Sequence, residues 1–81
     1  METRVAVIGI IVDNPAAIEE MNAILHDHAA FIVGRMGIPY RARGINIISL
    51  AVDAPMDSVN TLAGKLGRLN GVTAKAIYAA R

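Results

Sequence analysis

Three arginines and a tyrosine fall close together in Gly34-Arg35-Met36-Gly37-Ile38-Pro39-Tyr40-Arg41-Ala42-Arg43-Gly44. Arg35, Arg41 and Arg43 are three of the eight Lys and Arg residues, and no Asp or Glu occurs from His28 to Val52. A guanidinium presents a planar fork of donors that fits carboxylate or phosphate oxygens. The three glycines of the segment let backbone N–H groups come close to such a ligand. The chemistry indicated is binding of a small anion, with Tyr40, one of three aromatics in the chain, beside it. The same residues also read as a hairpin loop whose arginines are solvated or pair with Asp13, Asp53 or a neighbouring subunit.

His26-Asp27-His28 is the other constellation with chemical potential. Two histidines two residues apart on a helix project about 200° from each other, so His26 and His28 are weak candidates for a shared metal. A metal would need the helix to end between them, or ligands from a second subunit. The chain has no cysteine, which excludes thiolate catalysis, disulfides, iron–sulfur clusters and Cys-ligated zinc. Neither Gly34-x-x-Gly37 nor Gly64-Lys65-Leu66-Gly67 has the full spacing of a phosphate loop. There is no Ser/His/Asp set, and the adjacent carboxylates Glu19 and Glu20 belong to a helix surface. The expectation is a protein with no resident metal or cofactor that is not an enzyme.

The elements that must carry these residues come in two copies. Val5–Val12 and Ile45–Val52 are apolar runs, each ended by Val-Asp-x-Pro, as Val12-Asp13-Asn14-Pro15 and Val52-Asp53-Ala54-Pro55. After each break, apolar residues recur at i, i+3, i+7: Ile18, Met21, Leu25 and Val59, Leu62, Leu66. Asn14 caps the first helix with Pro15 at its first position, and that helix is expected to end around His28–Ala30. The second helix opens near Pro55-Met56-Asp57 and stops at Asn70-Gly71. Phe31–Met36 and Val72–Tyr78 supply the remaining strands, so the order is βαββαβ. With right-handed crossovers this is an α+β ferredoxin-like plait, a four-stranded antiparallel sheet with two helices on one face, in a single domain spanning 1–81.

An 81-residue chain that is 54% hydrophobic and 19% charged has more apolar surface than one small core can hide. Val5, Val7 and Ile11 point to one face of the first strand, and Ala6, Ile8, Ile10 and Val12 to the other. Two helices cover one face only. The exposed face is therefore expected to stack on a second copy, giving a dimer or tetramer, with Val5, Val7, Ile8, Ile10, Ile47, Ile48 and Leu50 as candidate contacts. A loop folded over the first strand is the alternative. The longest apolar run is far short of the roughly 20 residues that span a bilayer, and Glu2-Thr3-Arg4 leads straight into a strand, so a cytoplasmic, membrane-free location is expected. The net charge of +1 neither demands nor excludes a polyanion.

Several activities hosted by this plait lack their residues here. Stacking of RNA bases needs aromatics on the central strands, which have none. Acylphosphatase-like chemistry needs an arginine after the first strand, where Asp13-Asn14-Pro15 stands. Arg4-Val-Ala-Val-Ile-Gly-Ile-Ile-Val12, Ile32-Val-Gly-Arg-Met-Gly-Ile-Pro-Tyr-Arg41 and Gly64-Lys-Leu-Gly-Arg-Leu69 together resemble the iron-only hydrogenase system regulator family along essentially the whole chain. The resemblance implies a domain similar to ACT domains and to the C-terminal domain of nickel-responsive repressors, which assemble through their sheets. The His/Cys nickel site and ribbon-helix-helix segment of those repressors have no counterpart, so nickel sensing and autonomous nucleic-acid binding are not carried over. The expectation is a homo-oligomeric regulatory domain that binds a small anionic or amino-acid-like effector at subunit interfaces through Arg35, Tyr40, Arg41 and Arg43, framed by Asp13 and Asn14. The alternative is a purely structural scaffold that engages a protein partner without a small ligand.

Overall fold

Strict alternation of buried and exposed residues along Arg4–Val12 (β1) sets the orientation of everything else. In the computed structural model, which describes residues 2–80, β1 is followed by α1 (Ala17–Asp27), β2 (Ile32–Tyr40), β3 (Ile45–Ala54), α2 (Met56–Gly67) and β4 (Val72–Tyr78). The first and last residues of the expected 1–81 domain lie outside the described residues. The strands form one antiparallel sheet in the order β2-β3-β1-β4, which puts the two apolar runs side by side at its centre. This is the expected ferredoxin-like arrangement. No helix among the described residues is long and apolar enough to cross a membrane.

The core lies between the sheet and the helices. Ala6, Ile8, Ile10 and Val12 of β1 and Ile48, Leu50, Val52 and Ala54 of β3 meet Ala17, Met21 and Leu25 of α1 and Val59, Leu62 and Leu66 of α2. This placement corrects four of the candidate intersubunit contacts. Ile8, Ile10, Ile48 and Leu50 are all buried beneath the helices, at no more than 5% exposure, because the two-residue period of a strand sends them to the covered face. Val5, Val7 and Ile47 are on the opposite, uncovered face.

Local hydrogen bonds mark the helix ends. The Asn14 side-chain oxygen accepts a hydrogen bond from the Ala16 N–H at 3.2 Å, and the Asn14 carbonyl accepts one from Ala17 N–H at 2.9 Å. These bonds close a turn at Asn14-Pro15, but α1 begins only at Ala17 with Ala16 at the cap position and no side-chain cap, so the expected start at Asn14-Pro15 lies two residues early. α2 ends at Gly67, short of the expected stop at Asn70-Gly71. Its chain continues as a turn in which Leu69 N–H donates to Leu66 O, and Val72 N–H to Leu69 O. Gly71 holds φ +80°, the left-handed conformation that a side chain resists.

The largest departure from the sequence reading is β2. It runs on to Tyr40 and so absorbs most of the Gly34–Gly44 segment. β3 supplies a full ladder from Gly34↔Ala51 to Tyr40↔Ile45, and that long-range pairing outweighs the turn propensities of Gly37 and Pro39. Pro39 is tolerated because β2 is an edge strand. A register shift between Ile32 and Gly34 marks a bulge at Val33. The connection to β3 is only the short turn Arg41–Arg43, closed by Gly44 at φ +64°.

Candidate functional site

Extension of β2 separates the residues that the sequence had grouped. Arg35 pairs with the buried Leu50, so its side chain leaves the sheet on the helix side. Tyr40 pairs with Ile45 and takes the other side, in phase with Ile38 and Met36. Arg41 and Arg43 lie in the turn beyond both strands and are exposed. Asp13 and Asn14 follow β1 at the same end of the sheet, since Val12 pairs with Asn46. Both are tied to the turn before β4, Asp13 by its backbone N–H, which donates to Gly71 O at 2.8 Å, and Asn14 by its side-chain amide, which donates to Asn70 O at 3.4 Å. Within one protomer, then, Arg35, Tyr40 and the two turn arginines face three different ways.

The histidines also diverge. His26 is exposed on α1, whereas His28 lies past the helix end, half-buried, with its Nε2 buried and without a hydrogen-bond partner. Among the described residues, no three His, Cys, Asp or Glu side chains come together in a way that could hold a metal.

What the fold does bring together is an apolar sheet surface. On the side away from the helices, strand pairing lines up Ile38, Ile47, Ile11 and Thr73 in one row across all four strands. The next row is Met36, Ser49, Gly9 and Lys75, and the one after it is Gly34, Ala51, Val7 and Ile77. Val5 beside Asp53 closes one end, and Tyr40 beside Ile45 the other. Ile11, Ile47, Ile38 and Ile77 are 45, 41, 56 and 73% exposed. Nothing in the chain folds over β1, so the loop-covered alternative does not hold among the described residues. Gly9 leaves a shallow dip in the middle row, where an added Cβ would meet only the Lys75 carbonyl at 4.0 Å.

Charge is sparse on this face. Asp53 and Lys75 are its charged strand residues, one at an end of β3 and one on the outer strand β4. Sequence reasoning located Val5, Val7 and Ile47 there but missed Met36, Ile38 and Ile77. The alternation of Thr73, Lys75 and Ile77 with Ala74, Ala76 and Tyr78 was a usable signal for β4. For Met36 and Ile38 the glycine and proline spacing hid it.

Comparison with known proteins bears on the whole plait. A family model described as TM1266-like, with the provisional description of iron-only hydrogenase system regulator, matches residues 4–76. Among solved structures, the uncharacterized protein TM1266 from Thermotoga maritima is 33% identical and superposes with a TM-score of 0.91. That match covers 95% of this chain and 98% of the other. No curated protein matches the chain.

Proposed function

Because this chain belongs to the TM1266-like family, provisionally described as iron-only hydrogenase system regulators, we propose that it is a non-enzymatic regulatory domain working as a homo-oligomer. Two copies stack their helix-free sheet faces. The observation that carries this reading is the set of apolar rows across all four strands, built around Ile11, Ile47, Ile38, Val7 and Ile77.

The dimensions suit a second copy. Four strands about 4.8 Å apart, each presenting about 20 Å of length between Val5 and Ile11, make a face of about 400 Å² in projection. Two such faces sum to about 800 Å² before side-chain relief is counted, which brings them near the ~1,000 Å² at which specific interfaces begin. A partner of strong charge would gain little against a face with one acid and one base. A sister chain offers the same apolar rows in return. Sheet faces packed in this way lie about 10 Å apart with interleaved side chains.

Regulation then follows if an effector bound by the oligomer favours one assembly or one partner contact over another. Any control of transcription would pass through a protein partner. A net charge of +1, with three arginines dispersed over β2 and its turn, does not form the basic stripe that tracks phosphates. The dispersal of Arg35, Tyr40, Arg41 and Arg43 also favours the second reading, a scaffold that holds a partner without a small ligand. Sedimentation equilibrium at micromolar concentration tests the shared premise of both. A dimer or tetramer mass is expected, and a well-folded lone protomer would remove the basis for either.

A further inference from the structure

The helices leave one part of the sheet bare on their own side. From Val33 to Tyr40 every residue of β2 is exposed, because the core formed with α1 and α2 draws on β1, β3 and β4. Between α1 and this overhang lies a shallow, open depression, lined by Asn22, Leu25, His26, Ile32 and Arg35.

Each lining residue arrives there for a local reason. Asn22 and His26 are four apart on α1 and so share one face of it. Leu25 is the buried edge of the core, and Ile32 is the half-buried first residue of β2. Arg35 projects from β2 on the helix side, in register with Leu50. A guanidinium, a carboxamide and an imidazole therefore border a small apolar patch, mostly the half-buried Ile32, with the buried Leu25 at its edge. Side-chain hydrogen bonds among the described residues join Asn14 to Asn70 and Ala16, and Tyr78 to Asn60, and leave these three groups free. No carboxylate lines the depression. Glu19, one turn before Asn22, and Asp27, next to His26, lie outside its lining.

We propose that this depression binds a small monocarboxylate carrying a short apolar tail. The carboxylate takes the fork of Arg35, with the Asn22 amide and the His26 ring as further donors, and the tail lies on Ile32. A lone arginine fork beside an apolar patch suits a carboxylate with a hydrocarbon end better than a phosphate, which would want several cations and no patch. The site is on the opposite side of the sheet from the apolar rows, so a stacked dimer leaves it open. It gives the regulatory reading its effector chemistry and rests on that reading for its purpose.

Calorimetric titration of the full chain with isovalerate, acetate and inorganic phosphate tests the proposal. Isovalerate is expected to bind in the millimolar range, with acetate at least tenfold weaker for want of the tail. Arg35→Met is expected to abolish the isovalerate heat, and His26→Ala to weaken binding severalfold. Arg35 is exposed on an edge strand, so its variant should fold, and an unchanged circular dichroism spectrum and sedimenting mass check this. Absence of isovalerate binding, its survival in Arg35→Met, its loss in Arg41→Met, or phosphate binding more tightly than isovalerate would each overturn the site. A lone protomer that still binds isovalerate through Arg35 would instead sink self-association and leave the site standing.

Discussion

Ile47→Lys isolates the contribution of the helix-free face. Ile47 is at the centre of the row Ile38–Ile47–Ile11–Thr73 and is 41% exposed in the protomer. Full burial of an isoleucine side chain contributes about 2–3 kcal/mol, so withdrawing two-fifths of it from water on stacking contributes about 1 kcal/mol. A two-fold interface contains the substitution twice, for a loss of about 2 kcal/mol, or about 30-fold in dissociation constant. An ammonium held between Ile38 and Ile11 costs several kcal/mol more unless it snorkels to the rim. The variant is therefore expected to sediment as a protomer at concentrations where the parent chain is assembled. Its core should be intact, because Ile47 points away from Leu50 and Ile48. Lys65→Glu on the exposed surface of α2 should leave the mass unchanged and serves as the control. Sedimentation velocity over a dilution series reads both. If Ile47→Lys keeps the parent mass down the series, the copies do not meet through these rows.

Gly71→Ala should lower thermal stability sharply. At φ +80° an alanine costs about 1–2 kcal/mol, and its Cβ would also lie 2.7 Å from Asp13 Oδ1 and against Asn14. A total near 3 kcal/mol corresponds to a fall of about 10–20 °C in Tm by differential scanning calorimetry, and an unchanged Tm would refute the fit at this turn. Leu50→Ala, in a fully buried site, should cost about 2–5 kcal/mol in urea titrations, whereas Ile38→Ala, 56% exposed on the edge strand, should cost the protomer less than about 1 kcal/mol. Equal losses would contradict the assignment of sheet faces. Arg41→Ala with Arg43→Ala should leave the urea midpoint within about 0.5 kcal/mol of the parent, since the turn is closed by Gly44 and by backbone bonding rather than by either side chain.

Much of the plait was legible because its signals are local. The apolar run Val5–Val12, the turn at Asn14-Pro15, the spacing of Val59, Leu62 and Leu66, and the bounds of Val72–Tyr78 depend on residues within a few positions of one another. The two-residue period of a strand also separates Val5, Val7 and Ile11 from Ala6, Ile8, Ile10 and Val12. It does not say which set the helices cover, so Ile8, Ile10, Ile48 and Leu50 read from sequence as surface contacts no less than Val5, Val7 and Ile47.

The candidate site was far less legible, because strand pairing decides it. Glycine and proline between Gly34 and Gly44 speak for a loop when only neighbours are counted, yet the ladder to β3 holds Gly34–Tyr40 extended. That pairing turns Arg35 toward α1 and Tyr40 away from it, and leaves Arg41 and Arg43 in a short turn. The sequence by itself determined the elements, their order and the surplus of apolar surface, all consequences of short-range periodicity and composition. Only the tertiary structure decided which face remains bare and which side chains line the depression between α1 and β2, because the register between strands far apart in the chain decides on which side of the sheet each residue emerges.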